Sequence, residues 1–285
     1  MGQEDPRPSA CRTRRNSRSL IGWRYPKVTG VLPAALEDAT KIIQAFLLSG
    51  KEYVCLMQLH ENIPSGRVES VLQEFAGEIY QKPPLRASVR REIRKRRIYN
   101  IDILEIDGRR VLFKVGCQAG TYVRKLVSDI GEVLGSGAHM SELRRTRAGP
   151  FTEDKGLCTL YDVLNAYASL KETGDEALLR EIVKPMEEAF EHVPKIYVRD
   201  SAVGAICHGA DLAIPGIAKL DSNIVEKAPV AIFTQKGEIV ALAKALLPTG
   251  QIMDQEKGLA AKTVRVIMPA ETYPRMWRSK TSKPL

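Results

Sequence analysis

The densest chemistry in the sequence is the run RASVRREIRKRR, residues 86–97, in which seven basic side chains stand against one acid, Glu92. Guanidinium and ammonium groups so closely spaced suit a phosphate backbone. Each phosphate they neutralise releases counterions, and affinity then falls steeply with salt. Taken alone, such a run is as readily a solvated loop or helix face. A second basic run lies in residues 1–25, where six arginines face only Glu4 and Asp5. The chain carries a formal charge of +9, from 43 basic and 34 acidic residues. These two runs account for all of it, and the remainder is near neutral. An acidic partner is therefore expected, nucleic acid above all.

Other reactive side chains are dispersed. Cys11, Cys55, Cys117, Cys158 and Cys207 are odd in number and never form a CxxC pair, and His60, His139, His192 and His208 sit in unrelated segments. Neither a disulfide framework nor a metal site nor a cofactor is expected, and a reducing cytoplasm fits this usage. At 285 residues and 44% hydrophobic, the chain has material for two soluble domains. No apolar run reaches the roughly 18 residues of a membrane span, so no membrane association is expected.

The elements that would hold these residues follow from periodicity and punctuation. Residues 1–25 are polar and aperiodic and read as an atypical basic leader, disordered or out of frame. Pro33 opens a helix pattern that stops at Gly50. KEYVCLMQLH, residues 51–60, reads as a strand and residues 66–76 as a helix. Pro83-Pro84 breaks the chain before the arginine run. IYNIDILEID and RRVLFKVGCQ flank Gly108 as a hairpin. Thr121–Leu134 reads as a helix, and two more are expected near 159–171 and 175–190. Beyond Pro194, short strands and glycine turns, with a hairpin at Lys236-Gly237, point to a small β-barrel. The expected organisation is α+β: a mixed sheet with flanking helices over 26–185, a barrel over 194–270, and a polar tail over 271–285.

Three segments carry a family pattern: PKVTGVLPAALEDATK (26–41), KEYVCLMQLH (51–60) and GTYVRKLVSDIGEVLGSGAHMSELRRTRAGPF (120–151), with GADLAIPGIAKL (209–220) beyond them. Their order and spacing resemble the TruB/dyskerin family of pseudouridine synthases, most closely the archaeal H/ACA type with its C-terminal PUA domain. The resemblance implies isomerisation of uridine to pseudouridine in tRNA, at the T-loop uridine, or in rRNA uridines selected by a guide RNA. It implies partners of the same kind: tRNA, H/ACA guide RNA, rRNA and the small proteins of that particle. It also assigns roles. Tyr53 matches the tyrosine that stacks on a flipped-out base, and Arg124 the arginine that grips the catalytic carboxylate. Tyr122 walls the pocket, Leu143 packs near the base, and Lys51 is family-like. Arg86, Arg90, Arg91, Arg94 and Arg96 become candidate RNA contacts, with Arg144, Arg145 and Arg147 extending that surface.

One position departs from the family. Where its first motif places glycine, threonine, leucine, aspartate and proline, this chain reads Gly22-Trp23-Arg24-Tyr25-Pro26. Tyr25 occupies the place of the nucleophilic aspartate. A phenol, with a pKa of about 10, is neutral at neutral pH and does not replace a carboxylate. Two readings follow. Either the leader is misread and the natural protein carries the aspartate, leaving an N-terminally incomplete catalytic domain here, or the chain is a non-catalytic RNA-binding scaffold.

Overall fold

The computed structural model describes residues 28–43, 49–83, 90 and 92–274. The first of its two sheets contains β1 (Val28–Gly30), β2 (Lys51–Leu59), β3 (Gly77–Gln81), β4 (Arg94–Asp107), β5 (Arg110–Cys117), β6 (Ala138–Ala148) and β7 (Phe151–Thr152). The strand order is β1-β6-β2-β5-β4-β3, with β7 paired to β6. Only β1 and β6 run parallel, so the sheet is mixed as expected.

Alternation decides which face is buried. Successive strand residues point to opposite sides, and Cys55, Met57 and Leu59 of β2 are wholly buried on one of them. Helices α1 (Ser65–Glu74) and α2 (Val123–Leu134) cover that face. Val68, Leu72, Leu126, Val127 and Ile130 share a core there with Phe113 and Val115 of β5. The apolar stripe of α2 recurs at helical spacing, and Gly135, in the left-handed conformation at φ 79°, ends the helix.

Two expected helices take another form. Of the helix expected between Pro33 and Gly50, Glu37–Ile42 forms a 3-10 helix with Ile42 buried, and residues 44–48 lie outside the described residues. Leu36 is 61% exposed, while Ile42 at the end of the turn is buried. The helix expected over 175–190 is divided by Pro185 into α4 (Ala177–Ile182) and a 3-10 turn, Met186–Phe190. The preceding helix, α3 (Leu160–Thr173), forms as expected and starts at a capping box. Thr159 Oγ1 accepts from the Asp162 amide, and the Asp162 carboxylate accepts from the Thr159 amide.

The second sheet contains β8 (Lys195–Val198), β9 (Leu212–Ala213), β10 (Ile217–Leu220), β11 (Pro229–Thr234), β12 (Ile239–Ala245) and β13 (Leu259–Val266). Its order is β10-β8-β11-β12-β13-β9. The outermost strands, β9 and β10, are joined by the short turn Ile214–Gly216, so the sheet curls back on itself. The β11–β12 hairpin turns at Lys236-Gly237, as the sequence implies. Two short helices, α5 (Asp200–Cys207) and α6 (Thr249–Asp254), are additions to the expected all-strand pattern.

A separate apolar cluster joins the two sheets. It combines Ile42 with Phe190, Phe233, Ile239 and Ile267. Phe190 meets Phe233 edge-on, with ring centres 6.1 Å apart. Lys41 Nζ donates to the Ile267 carbonyl at 3.3 Å. The segment after β1 is thus fixed against the second sheet.

Gly30 makes the β1–β6 approach possible. Its φ is +98°, and a Cβ placed there would lie 2.1 Å from the Arg145 carbonyl oxygen. Gly30→Ala is expected to cost about 2–4 kcal/mol, from backbone strain and overpacking together. Urea unfolding of the full chain measures this, and an unchanged midpoint contradicts the β1–β6 pairing.

Candidate active site

One end of the first sheet gathers most of the described residues that the sequence singles out. Lys51 and Tyr53 open β2. In the register of β2 with β5, Lys51 faces Cys117 and Tyr53 faces Val115. On the other side Tyr53 faces Arg145 of β6. β1 lies along β6 with Val28 beside Leu143 and Gly30 beside Arg145. By alternation, Lys51 and Tyr53 fall on the same face as Cys55, Met57 and Leu59, where the helix layer begins. Tyr25, Arg86 and Arg91 lie outside the described residues.

The side chains at this end form a compact polar cluster. Arg145 stands opposite Tyr53 across the β2–β6 ladder, close enough for its charge to act on the Tyr53 phenol. Tyr53 is half-buried, and that burial is the main reason its pKa is raised. Cys117 adds to the rise and Arg145 partly offsets it. The phenol is therefore a neutral hydroxyl at neutral pH. Lys51 Nζ donates to the Ser49 carbonyl at 2.8 Å. Burial lowers the Lys51 pKa, and the charge on Arg145 lowers it further. Burial pushes the Cys117 thiol up to about 11 and the Cys55 thiol up to about 12. Both stay protonated at neutral pH, so neither is poised as a nucleophile.

The Gly120–Leu126 motif follows Cys117 after a short turn in which Thr121 Oγ1 donates to the Gln118 carbonyl at 2.7 Å. Tyr122 is the N-cap residue of α2, and both of its backbone groups are held by Gln81. The Tyr122 amide donates to Gln81 Oε1 at 3.0 Å, and Gln81 Nε2 donates to the Tyr122 carbonyl at 3.2 Å. Arg124 follows on the first turn of α2 with an exposed side chain. Leu143 is buried in the helix-covered core.

The arginine run ends in β4 and is divided by alternation. Arg94 and Arg96 are half-buried on one face, while Lys95 and Arg97 are exposed on the other. Arg96 lies over Gly120, where an added Cβ would stand 3.2 Å from its Nη2. The Gln118 amide donates to the Arg97 carbonyl at 2.8 Å, which ties the run to the motif loop. Lys95 pairs with Glu78 at 2.6 Å across the β3–β4 ladder. Arg90 is exposed and pairs with Glu92 at 3.5 Å.

Three residues of this end escape the sequence reading in their actual roles. Gln81 is 2% exposed, and its signal is a polar residue in phase with Ile79 on an alternating strand. Glu52, on the opposite face from Tyr53, binds Lys114 at 3.3 Å and accepts from Thr146 at 2.8 Å, tying β2 to both neighbours. Arg145 is the third. The sequence places it with Arg144 and Arg147 on an RNA surface, but it is only 7% exposed. Only Arg144 has the exposed position expected of it, paired with Glu153 at 2.7 Å.

Comparison with known proteins covers nearly all of the chain. A model of the TruB family pseudouridylate synthase N-terminal domain matches residues 25–123, and one of the tRNA pseudouridylate synthase B C-terminal domain matches 124–191. A PUA domain model matches 194–267. The chain is 53% identical over 259 residues to a probable tRNA pseudouridine synthase B of Thermococcus kodakarensis, covering 91% of this chain and 77% of the relative. It is 55% identical over 265 residues to the protein so described from Methanosarcina acetivorans, covering 93% and 78%. Among solved structures, a Cbf5-Nop10-Gar1 complex matches with a TM-score of 0.84 at 53% identity, over 88% of this chain and 76% of the matched one. An H/ACA RNP bound to a substrate RNA containing 2'-deoxyuridine matches with a TM-score of 0.82 at 51% identity, over the same shares. With these domain models in succession and relatives of this identity along most of their length, the chain belongs to the TruB family of pseudouridine synthases and carries a C-terminal PUA domain.

Proposed function

We propose that this chain binds uridine-bearing RNA, a tRNA T-loop or an H/ACA guide-selected rRNA site, and that its isomerase turnover is impaired at Tyr25. The observation that carries the RNA half is the convergence of Tyr53, Lys51 and the Gly120–Arg124 loop beside Arg94 and Arg96. A half-buried aromatic ring next to cationic groups suits a base extracted from its stack. Base–aromatic stacking contributes about 1–3 kcal/mol, and the arginines hold the adjoining phosphates. The matched assemblies, Cbf5 with Nop10 and Gar1 and an H/ACA RNP with substrate RNA, support partners of the same chemistry. In this reading residues 26–185 form the catalytic unit, and the barrel at 194–270 grips a helical RNA element by backbone and shape.

The reaction explains the expected impairment. The bond between uracil N1 and the ribose C1' must break, the uracil must turn in place, and C5 must bond to C1' as C5 loses its proton and N1 gains one. A carboxylate begins this by attacking or deprotonating the sugar, and in this reading Arg124 holds that carboxylate ionised. Tyr25 offers a neutral phenol instead. The same substitution favours the second reading, an RNA-binding scaffold without turnover.

Tritium release from 5-tritiated uridine in a tRNA substrate tests the proposal. The chain as it stands is expected to release little, and Tyr25→Asp to recover part of the activity. Full turnover by the unchanged chain contradicts the impairment. RNA binding provides the second test. Arg94→Ala and Arg96→Ala are each expected to weaken binding and to reduce the slope of log affinity against log salt by about 1. Unchanged slopes remove the arginine run from the interface.

A further inference from the structure

Arg145 is a buried cation that none of the roles above uses. It lies inside the ladder, on β6 between β1 and β2, facing Gly30 on one side and Tyr53 on the other. Its Nε donates to the Val31 carbonyl at 2.6 Å, and as the cross-strand partner of Tyr53 its side chain shares that residue's face of the sheet. The β2–β6 register shifts between Glu52 and Tyr53, so Tyr53 is the residue brought opposite Arg145. A bulge of this kind redirects a side chain without unpairing the strand. Burying a guanidinium is costly unless hydrogen bonds satisfy it. A residue serving packing alone would be apolar here. Anchored at the Val31 carbonyl, the planar guanidinium stands at the strand position opposite Tyr53, a rigid placement that a flexible ammonium would not reproduce.

We propose that Arg145 is a positioning residue for Tyr53: it fixes the phenol ring to the chain segment just after β1, and so sets the stacking ring relative to the strand that follows the nucleophile motif. This rests on the reading of Tyr53 as the ring that receives the base. Lys51, Cys117 and Arg145 are the titratable or charged groups that bear on the Tyr53 phenol or its neighbours. The guanidinium favours the phenolate, so its removal moves the phenol's titration to higher pH.

The test uses the full chain with ζ-carbon-13 tyrosine, the Tyr53 resonance being assigned by its loss in Tyr53→Phe. In Arg145→Met the Tyr53 midpoint is expected to move upward, and in Arg145→Lys to move less, a partial rescue by the retained charge. Tyr53→Phe gives the reciprocal measurement, which needs no change at Arg145: the Arg145 ε-NH resonance is expected to shift. That variant keeps the test decisive if Arg145→Met fails to fold. Unmoved resonances in both directions overturn the coupling. Affinity for a uridine-bearing stem-loop RNA, measured on the same samples, reads the functional half. Arg145→Lys and Tyr53→Phe are expected to weaken binding non-additively. Coupled resonances with additive binding losses overturn the positioning role and leave the proposed function standing. Absence of RNA binding by the unchanged chain overturns the proposed function itself.

Discussion

The register of β2 is the constraint on which this structure depends. The strand lies inside the sheet, hydrogen-bonded to β5 on one side and to β6 on the other. Its pairing with β5 is continuous from Lys51 to Gln58, while its pairing with β6 shifts at Glu52/Tyr53 and at Leu56/Met57. A slip by one residue would turn Cys55, Met57 and Leu59 out of the core and carry Tyr53 to the opposite face. The buried apolar residues therefore aim the tyrosine. Glu52 reinforces the register from the far side by binding Lys114 and Thr146.

Around that strand, polar residues act mostly on one another rather than on solvent. Gln81 holds both backbone groups of Tyr122, and so fixes where α2 starts and where Arg124 emerges. Arg145, opposite Tyr53 on β6, is anchored to the Val31 carbonyl just after β1. Arg96 lies over the glycine that begins the motif loop. Such contacts link the basic edge of β4 to the mouth of the site, so phosphate contacts and base placement belong to one surface. The net charge of the chain overstates that surface. Lys95 is committed to Glu78, and Arg144 to Glu153.

Much of this was legible in the sequence because it is local. Alternation in KEYVCLMQLH gave β2, the glycine at 108 gave the β4–β5 hairpin, and helical spacing with Gly135 gave α2. The roles expected of Tyr53, Arg124 and Leu143 come from the family resemblance and not from local pattern. The remainder was illegible because it depends on partners distant in sequence. Arg145 reads as one more surface arginine in ELRRTR until β1 and β2 enclose it. The turn of helix at Met186–Phe190 owes its place to Phe190 docking on Phe233 of the second sheet. Tyr25 was conspicuous in sequence and lies outside the described residues, so its effect is a matter for chemistry.

The claim at the centre is that the Tyr53 end of the sheet receives a flipped uracil, whether or not the chain turns it over. The most direct measurement compares equilibrium affinities of the unchanged chain for two stem-loop RNAs, alike except that one carries uridine and the other an abasic residue at the target position. Stacking on Tyr53 at about 1–3 kcal/mol corresponds to tighter binding of the uridine RNA by roughly five- to 150-fold, a preference lost in Tyr53→Ala. Equal affinities for the two RNAs would contradict the assignment of this site.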